Sequence, residues 1–289
     1  MKFKYTFFAL FLLFLYKMPM YSQSSESFKP ELWLQNPQKI KDTVKEFNKL
    51  NFHSRLFLSK KHVWTSTKKV NNANHLFVVY KSNTDENLIS LIGTKKSMFL
   101  EGKKIKLNDT VDLAGYNESY GELLDVQFGG VEDGKFWLNN DIKESNLFEI
   151  ILIEKGSQAV SVNDIRTYLS IKYGIDLIDY KQYGHKGEKW WDGANKAFNH
   201  NIFGIARMDL YNLNNAKSTH SKDNDLIVYN SGGAKGAFEN GEYVLFGTNK
   251  KSLIFDKKTK LSNKQWLVQT NKDKAVVDIV FPLAKLNQD

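Results

Sequence analysis

The chain contains no cysteine among its 289 residues. This absence excludes disulfide bonds, thiol nucleophiles, cysteine-ligated zinc and iron–sulfur clusters. It also excludes the lipid anchor of a bacterial lipoprotein. Stability must therefore come from a hydrophobic core, and a chain of this length can bury one in a large domain with a smaller unit or in two domains of ordinary size.

The N-terminal apolar run is too short for a membrane-spanning helix. Lys2 and Lys4 precede an apolar stretch from Thr6 to Tyr16, about eleven residues where a transmembrane helix needs roughly twenty. Residues 1–22 are therefore predicted to be a cleaved signal peptide. We expect an exported protein, extracellular or on the outer cell surface, without a stable membrane anchor after cleavage.

The chain also lacks a strong excess of one charge sign. Its formal net charge is +9, and three of the lysines leave with the signal peptide. The remaining lysines occur in scattered pairs beside turn residues, which is typical of solvated strand ends that protect sheet edges. No nucleic-acid-binding module accompanies them, so we expect no nucleic-acid partner.

Short apolar runs alternate with Asn, Gly, Asp and Lys clusters from Glu31 to Glu154, at the spacing of a β-sandwich. Similar runs resume at Asn201, beyond a segment rich in Tyr, Trp, Gly and Lys. The last run, residues 275–281, is interrupted only by Asp278, so we expect a mostly buried strand there. The pattern predicts a mainly β fold in two parts.

One helix is predicted between the two parts. Ser161 has the side chain of an N-cap residue, and Gly174 is a suitable terminator. The apolar side chains between them recur at helical spacing and should pack on the sandwich, whereas Asn163, Arg166 and Ser170 should face water.

The phrase YLSIKYGI, residues 168–175, resembles a "YLAIKYGI"-type phrase that follows the last strand of LamG-like, concanavalin A-like jelly rolls in secreted proteins of Bacteroidetes. Further matches lie upstream in Leu32-Trp33-Leu34 and Asn51-Phe52. Residues 199–207 and 242–249 resemble the β domain that follows such jelly rolls. The resemblance implies a jelly-roll sandwich over residues 28–178 and a smaller β domain over residues 179–289. Its hosts are typically surface proteins, some of them adhesins, exported by the type IX system.

Calcium is the one metal that the resemblance implies, because such jelly rolls often hold Ca²⁺ with loop oxygens. Asp85, Glu86 and Asp141 are the candidate ligands, although the same residues are also common turn formers. The six histidines lack metal-ligand spacing. We expect no other cofactor.

Tyr183, Trp190 and Trp191 are the candidate ligand-binding aromatics, since they crowd into the segment between the two β parts. Exposed, their rings could stack on sugar rings or anchor a partner protein. Buried, they would join the two parts, and this is the interpretation that we favour.

Catalytic geometry is not evident in the sequence. Glycoside hydrolases need two carboxyl groups about 5 to 9.5 Å apart. On a regular strand Glu122 and Asp125 would point to opposite faces, and Glu118 would lie roughly 13 Å from Glu122. We therefore expect a noncatalytic binding or adhesion module with a glycan or a surface protein as partner. The alternatives are a polysaccharide-active glycoside hydrolase and a structural part of a surface, gliding or adhesin assembly.

Overall fold

The computed structural model describes most of the chain between Phe28 and Phe281. The described ranges are 28–35, 49–56, 63–66, 69–70, 73–82, 86–101, 104–107, 110–111, 123–139, 145–154, 161–177, 179–232, 237–254 and 262–281. The expected signal peptide lies outside them. Within these ranges, no helix combines the length and the apolar character needed to cross a membrane.

The first unit is a sandwich of two antiparallel sheets. One has the strand order β1-β12-β5-β10, and the other has the order β4-β11-β6-β7-β8-β9. The strands are β1 Leu32–Gln35, β2 Lys49–Leu50, β3 His53–Ser54, β4 Val63–Thr65, β5 Ala73–Ser82, β6 Asn87–Ile92, β7 Ser97–Glu101, β8 Lys104–Leu107, β9 Thr110–Val111, β10 Leu123–Val131, β11 Lys135–Asn139 and β12 Ser145–Glu154. The predicted sandwich is thus confirmed, while its jelly-roll connectivity stays a prediction.

Strand β12 is buried on both faces, as its nearly continuous apolar run predicts. Ile150 and Leu152 enter the core between the two sheets. Ile151 and Ile153 point the other way, into a second core that the following helix also lines. One strand therefore connects the sandwich to the rest of the molecule.

Helix α1, Val162–Tyr173, has the predicted ends. Ser161 caps it by accepting a hydrogen bond from the Asp164 backbone N–H, and Gly174 ends it in the left-handed conformation with φ 62°. The prediction that Ser170 faces water is wrong, since this residue is 0% exposed. Its hydroxyl donates to the Ile175 carbonyl oxygen. The helix is buried on most sides because it lies between the first unit and the second.

The second unit contains three further sheets, β13-β14, β16-β15-β19-β20 and β17-β18-β21. Its strands are β13 Gly184–His185, β14 Glu188–Lys189, β15 His200–Met208, β16 Leu213–Asn214, β17 Lys217–Ser218, β18 Ile227–Asn230, β19 Tyr243–Thr248, β20 Trp266–Thr270 and β21 Val277–Val280. The four- and three-stranded sheets share a small core that includes Phe203, Val228, Val244 and Phe246.

The last strand contradicts its prediction. Residues 275–281 were expected to be mostly buried, yet Val276 is 52% exposed, Ile279 48% and Val280 43%. Strand β21 lies at the edge of its sheet and pairs with β18 alone among the described strands. The apolar sequence thus predicts the strand correctly but not its burial, because burial depends on the elements that pack against the strand.

Candidate functional site

A cleft of about 350 Å³ opens on the first unit. It is lined by Asn87, Leu88, Ser90, Ile92, Trp137, Leu138 and Asn139, all from the neighbouring strands β6 and β11. The volume lies within the usual range for small-molecule sites, roughly 300 to 1,000 Å³. Two regular strands in the middle of a sheet therefore position the whole lining.

Strand alternation directs Trp137 away from the core. Phe136 and Leu138 are 0% exposed and enter the core between the sheets, so the residue between them must point outward. Trp137 is 36% exposed and Ile92 is 44% exposed. The cleft thus presents a large aromatic side chain to solvent on a strand inside the sheet.

The register places Ser90 between two aromatic residues. Ser90 pairs with Trp137 on one side and with Phe99 on the other, so all three lie on the outer face of the sheet. With strands about 4.8 Å apart, the backbones of Trp137 and Phe99 are separated by roughly 10 Å. Ser90 is only 8% exposed and Phe99 does not line the cleft, so Trp137 is the aromatic side chain that the cleft presents.

Asn87 supplies the polar side of the cleft. Its Nδ2 donates a hydrogen bond of 2.7 Å to the Ser90 hydroxyl. Its Oδ1 is buried and has no hydrogen-bond partner within the described part of the chain. A buried amide oxygen without a hydrogen-bond partner is costly, so a rotation of this side chain that brought the oxygen to a ligand hydroxyl would be favoured.

The three predicted ligand-binding aromatics are buried in the structure. Tyr183 and Trp190 are 1% exposed and Trp191 is 0% exposed. Trp190 stacks on Tyr243 at 4.6 Å between ring centroids, and the Trp191 indole N–H donates to Asn199 Oδ1 at 2.7 Å. These rings belong to the core that joins the helix to the second unit, so this conformation offers no exposed ring of theirs for stacking.

The predicted calcium ligands are mostly outside the described residues. Asp85 and Asp141 lie there, and Glu86 is an exposed residue immediately before β6. No group of three or more His, Asp or Glu side chains suited to a metal ion occurs in the ranges that the structure describes.

Asp125 and two further acidic residues of this region that the structure describes each have a basic partner. Asp125 pairs with His75 at 2.5 Å and with Arg166 of the helix, and these partners hold the pKa of its carboxyl below the usual value despite burial. Glu132 and Asp133 form exposed ion pairs with lysines. Glu118 and Glu122 lie outside the described residues.

A buried polar cluster joins helix α1 to the first unit at Glu149 of β12, which is 1% exposed. Lys172 Nζ lies 2.7 Å from Glu149 Oε2. Trp33, Tyr168 and Tyr173 also donate hydrogen bonds to this carboxylate, at 2.6, 2.7 and 2.8 Å. Burial, with the neighbouring carboxylate, raises the pKa of both tyrosines well above the ordinary value. Four donors from β1 and α1 thus compensate one buried charge.

Asn51 makes a second connection at the C-terminal end of the helix. It lies in the tight turn between β2 and β3, and its Nδ2 donates to the carbonyl oxygens of Ile171 and Lys172 at 3.2 and 3.0 Å. Its Oδ1 accepts from the Thr219 backbone N–H at 2.7 Å. One side chain of the first unit therefore satisfies carbonyls at the helix C-terminus and also binds the second unit.

The sequence prediction missed Trp137, although a signal for it was present. The run Lys135 to Asn139 has polar ends and three apolar residues between them, and Trp137 has the same parity as the polar Lys135 and Asn139. A tryptophan on the polar side of an alternating strand is expected to be exposed. Sequence could not show that Ser90 would be its neighbour, because strand pairing is set by the fold.

Residues 161–289 match the model of a family described as Domain of unknown function (DUF8202). The match begins at the N-cap residue of α1, so it includes the helix together with the second unit. No curated protein and no solved structure matches the chain. The helix and the second unit are therefore similar, as one continuous segment, to a described domain.

Proposed function

We propose that the chain is a noncatalytic extracellular binding module that holds a glycan in the Trp137 cleft. The observation that carries this proposal is an exposed indole on a strand inside the sheet, beside an amide oxygen that has no hydrogen-bond partner among the described residues. An aromatic face packs against the apolar C–H face of a sugar ring. The amide of Asn87 would accept a hydrogen bond from a sugar hydroxyl.

Binding of the chain from Ser24 onward to a broad glycan array is the first test, run once with calcium and once with a chelator. Saturable binding to one glycan class supports the proposal, and loss on chelation would add a Ca²⁺ to the site. Absence of binding in both conditions would contradict the proposal and favour a protein partner.

Substitution then locates the site. Trp137→Ala should weaken binding at least tenfold, which corresponds to about 1.4 kcal/mol, with little change in the thermal midpoint. The matched control is Phe52→Ala, because Phe52 is an aromatic residue of similar exposure, 42%, that does not line the cleft. Equal losses in both variants would argue against the cleft as the site.

The hydrolase alternative has its own measurement. Release of reducing ends from a bound polysaccharide, abolished by Glu122→Gln, would show catalysis and contradict the noncatalytic part of the proposal. Co-purification with a large surface protein, without any glycan affinity, would instead indicate a structural role.

A further inference from the structure

The small sandwich of the second unit is open along one side. Val268 of β20 pairs with Phe246, and Ile279 of β21 pairs with Val228. Paired residues share a face of the sheet, and both Phe246 and Val228 are buried in the common core. Val268 and Ile279 therefore point toward that core, yet they are 47% and 48% exposed.

Strands β20 and β21 frame a slot over this opening. Among the strands that the structure describes, each is the last of its sheet, and the two do not pair with each other. Residues 271–276 join the two strands at one end, and the rings of Trp266 and Phe281 meet at the other end at 5.7 Å between centroids. Free strand edges with apolar side chains are usually covered or charged in folded proteins.

We propose that this slot accepts an extended strand from a partner protein, with apolar side chains at alternate positions and acidic residues at its ends. The partner backbone would pair with the free edges of β20 and β21, and its apolar side chains would cover Val268 and Ile279. Strand addition of this kind obtains affinity from main-chain hydrogen bonds and specificity from alternate side chains. This surface is separate from the Trp137 cleft and adds a protein partner.

The exposed apolar area is too small to favour a second copy of the chain as the occupant. The apolar side chains that face the slot, Val268, Ile279 and Phe281, are 47%, 48% and 36% exposed. Even if each offered roughly 200 Å², as an aromatic side chain does, they would expose only about 260 Å² per copy, whereas a stable interface needs about 800 Å² per partner.

Charge also favours a different partner with acidic ends. Two copies of the mature chain would repel one another, since each keeps a formal net charge of +6 after three of the lysines behind the +9 have left with the signal peptide. Lys250 and Lys251 are exposed just beyond Thr248, which pairs with Trp266 at one end of β20. Lys274 is exposed in the connection at the other end. Acidic residues that flank the partner strand would lie near these lysines.

The test uses a labelled nine-residue peptide in which four valines alternate with three threonines between two terminal glutamates. Its control has the same sequence with alternate amides N-methylated, which blocks strand pairing. The full chain should bind the first peptide saturably, at least tenfold more tightly than the control. Bound peptide should also slow hydrogen exchange of amides in β20 and β21.

Two matched variants test whether the peptide binds in the slot. Ile279→Lys, on the inner face of β21, should weaken binding at least tenfold. Val280→Lys is the control, because Val280 has similar exposure, 43%, but points to the opposite face, and it should change affinity by less than threefold. Retained exchange protection in β15 and β19 shows that each variant is folded, and Trp137→Ala should bind the peptide normally.

Several outcomes would overturn the inference. These are no saturable binding, equal affinity for the methylated peptide, or equal losses in the two β21 variants. Sedimentation that shows a dimer, lost in Ile279→Lys, would make a second copy the occupant. Binding that arises only after deletion of residues 282–289 would make the chain's own C-terminal segment the occupant.

Discussion

The junction at helix α1, around Glu149, and the slot at the edge of the second unit differ in whether their inward-facing side chains have partners within the chain. At the junction, the buried carboxylate of Glu149 receives four donors, including the ammonium of Lys172. At the slot, Ile279 lies on a core-facing side of its strand and is still 48% exposed. The buried carboxylate at the junction therefore has its partners within the chain, whereas the apolar side chain at the slot is only half covered.

Three of the phrases that carry the family resemblance lie at the junction, and the exposed residues of the proposed binding surfaces do not belong to them. Trp33, Asn51 and Lys172, which lie in the three upstream phrases of the family resemblance, all contribute to the junction. Trp137 and Ile279 lie outside every such phrase. These three phrases therefore supply contacts of helix α1 with the first unit, whereas the residues of the two proposed binding surfaces lie outside the phrases.

Removing the ammonium group of Lys172 from the junction should have the largest effect on stability. Lys172→Met leaves Glu149 as a buried carboxylate without its counter-charge, so we expect a loss of about 3 to 5 kcal/mol in the free energy of unfolding, measured by urea denaturation. Combining Glu149→Gln with Lys172→Met should restore part of this loss, since no isolated charge remains.

The exposed pair Lys95 and Glu132 is the control for the junction. Its atoms are 3.0 Å apart, but its side chains are 75% and 56% exposed. Lys95→Met should therefore cost less than about 1 kcal/mol. If both methionine variants lost similar stability, the comparison between a satisfied buried cluster and the rest of the molecule would be wrong.

The second largest effect on stability should depend on pH. It involves His220 and Asp176, which lie 3.7 Å apart. Burial lowers the pKa of His220 from 6.5 to about 3, so stability is present above 6.5 and falls as pH drops toward 3. Burial raises the pKa of Asp176 from 3.8 to about 6, so stability rises as pH drops from 6 to 3.8. The two effects oppose each other in that window. The charged neighbours are Lys222, Asp223 and Lys264.

Asp176→Asn should reveal how His220 lowers the stability as the pH falls. Relative to the unsubstituted chain, the variant should lose about 3 kcal/mol between pH 6 and 3.8, because about 1.4 kcal/mol per pH unit is no longer offset. His220→Gln should show the opposite slope in the same window. Urea denaturation at several pH values measures both, and parallel curves would exclude linkage at these two groups.

Asn51→Ala should cost about 2 to 3 kcal/mol, because it leaves carbonyls at the end of α1 and the Thr219 N–H without their partner. The neighbouring turn residue Phe52 is the control. It contacts Lys217 through its ring at 3.8 Å, but it has φ 66°, a conformation that favours glycine. Phe52→Gly should therefore change stability by less than about 1 kcal/mol. Comparable losses in the two variants would assign the effect to the turn and not to the amide.

Local patterns predicted the elements of this fold better than the contacts between them. Ser161 and Gly174 bound the helix as expected, because caps are local in sequence. The exposure of Ser170 and the burial of β21 were predicted wrongly, since both depend on neighbours distant in the chain. The pairing of Ser90 with Trp137 and Phe99 is likewise a matter of register, which alternation alone does not determine.

The smallest effect should occur at the slot. If Ile279 is covered only when a partner is present, Ile279→Thr removes little burial from the isolated chain and should change its free energy of unfolding by less than about 1 kcal/mol. Leu245 in the neighbouring sheet is 0% exposed, and Leu245→Ala should cost about 2 to 5 kcal/mol. A loss at Ile279 as large as that at Leu245 would mean that the slot is already closed in solution. A small loss, together with weaker peptide binding, would mean that the sandwich folds first and leaves this side open for a partner.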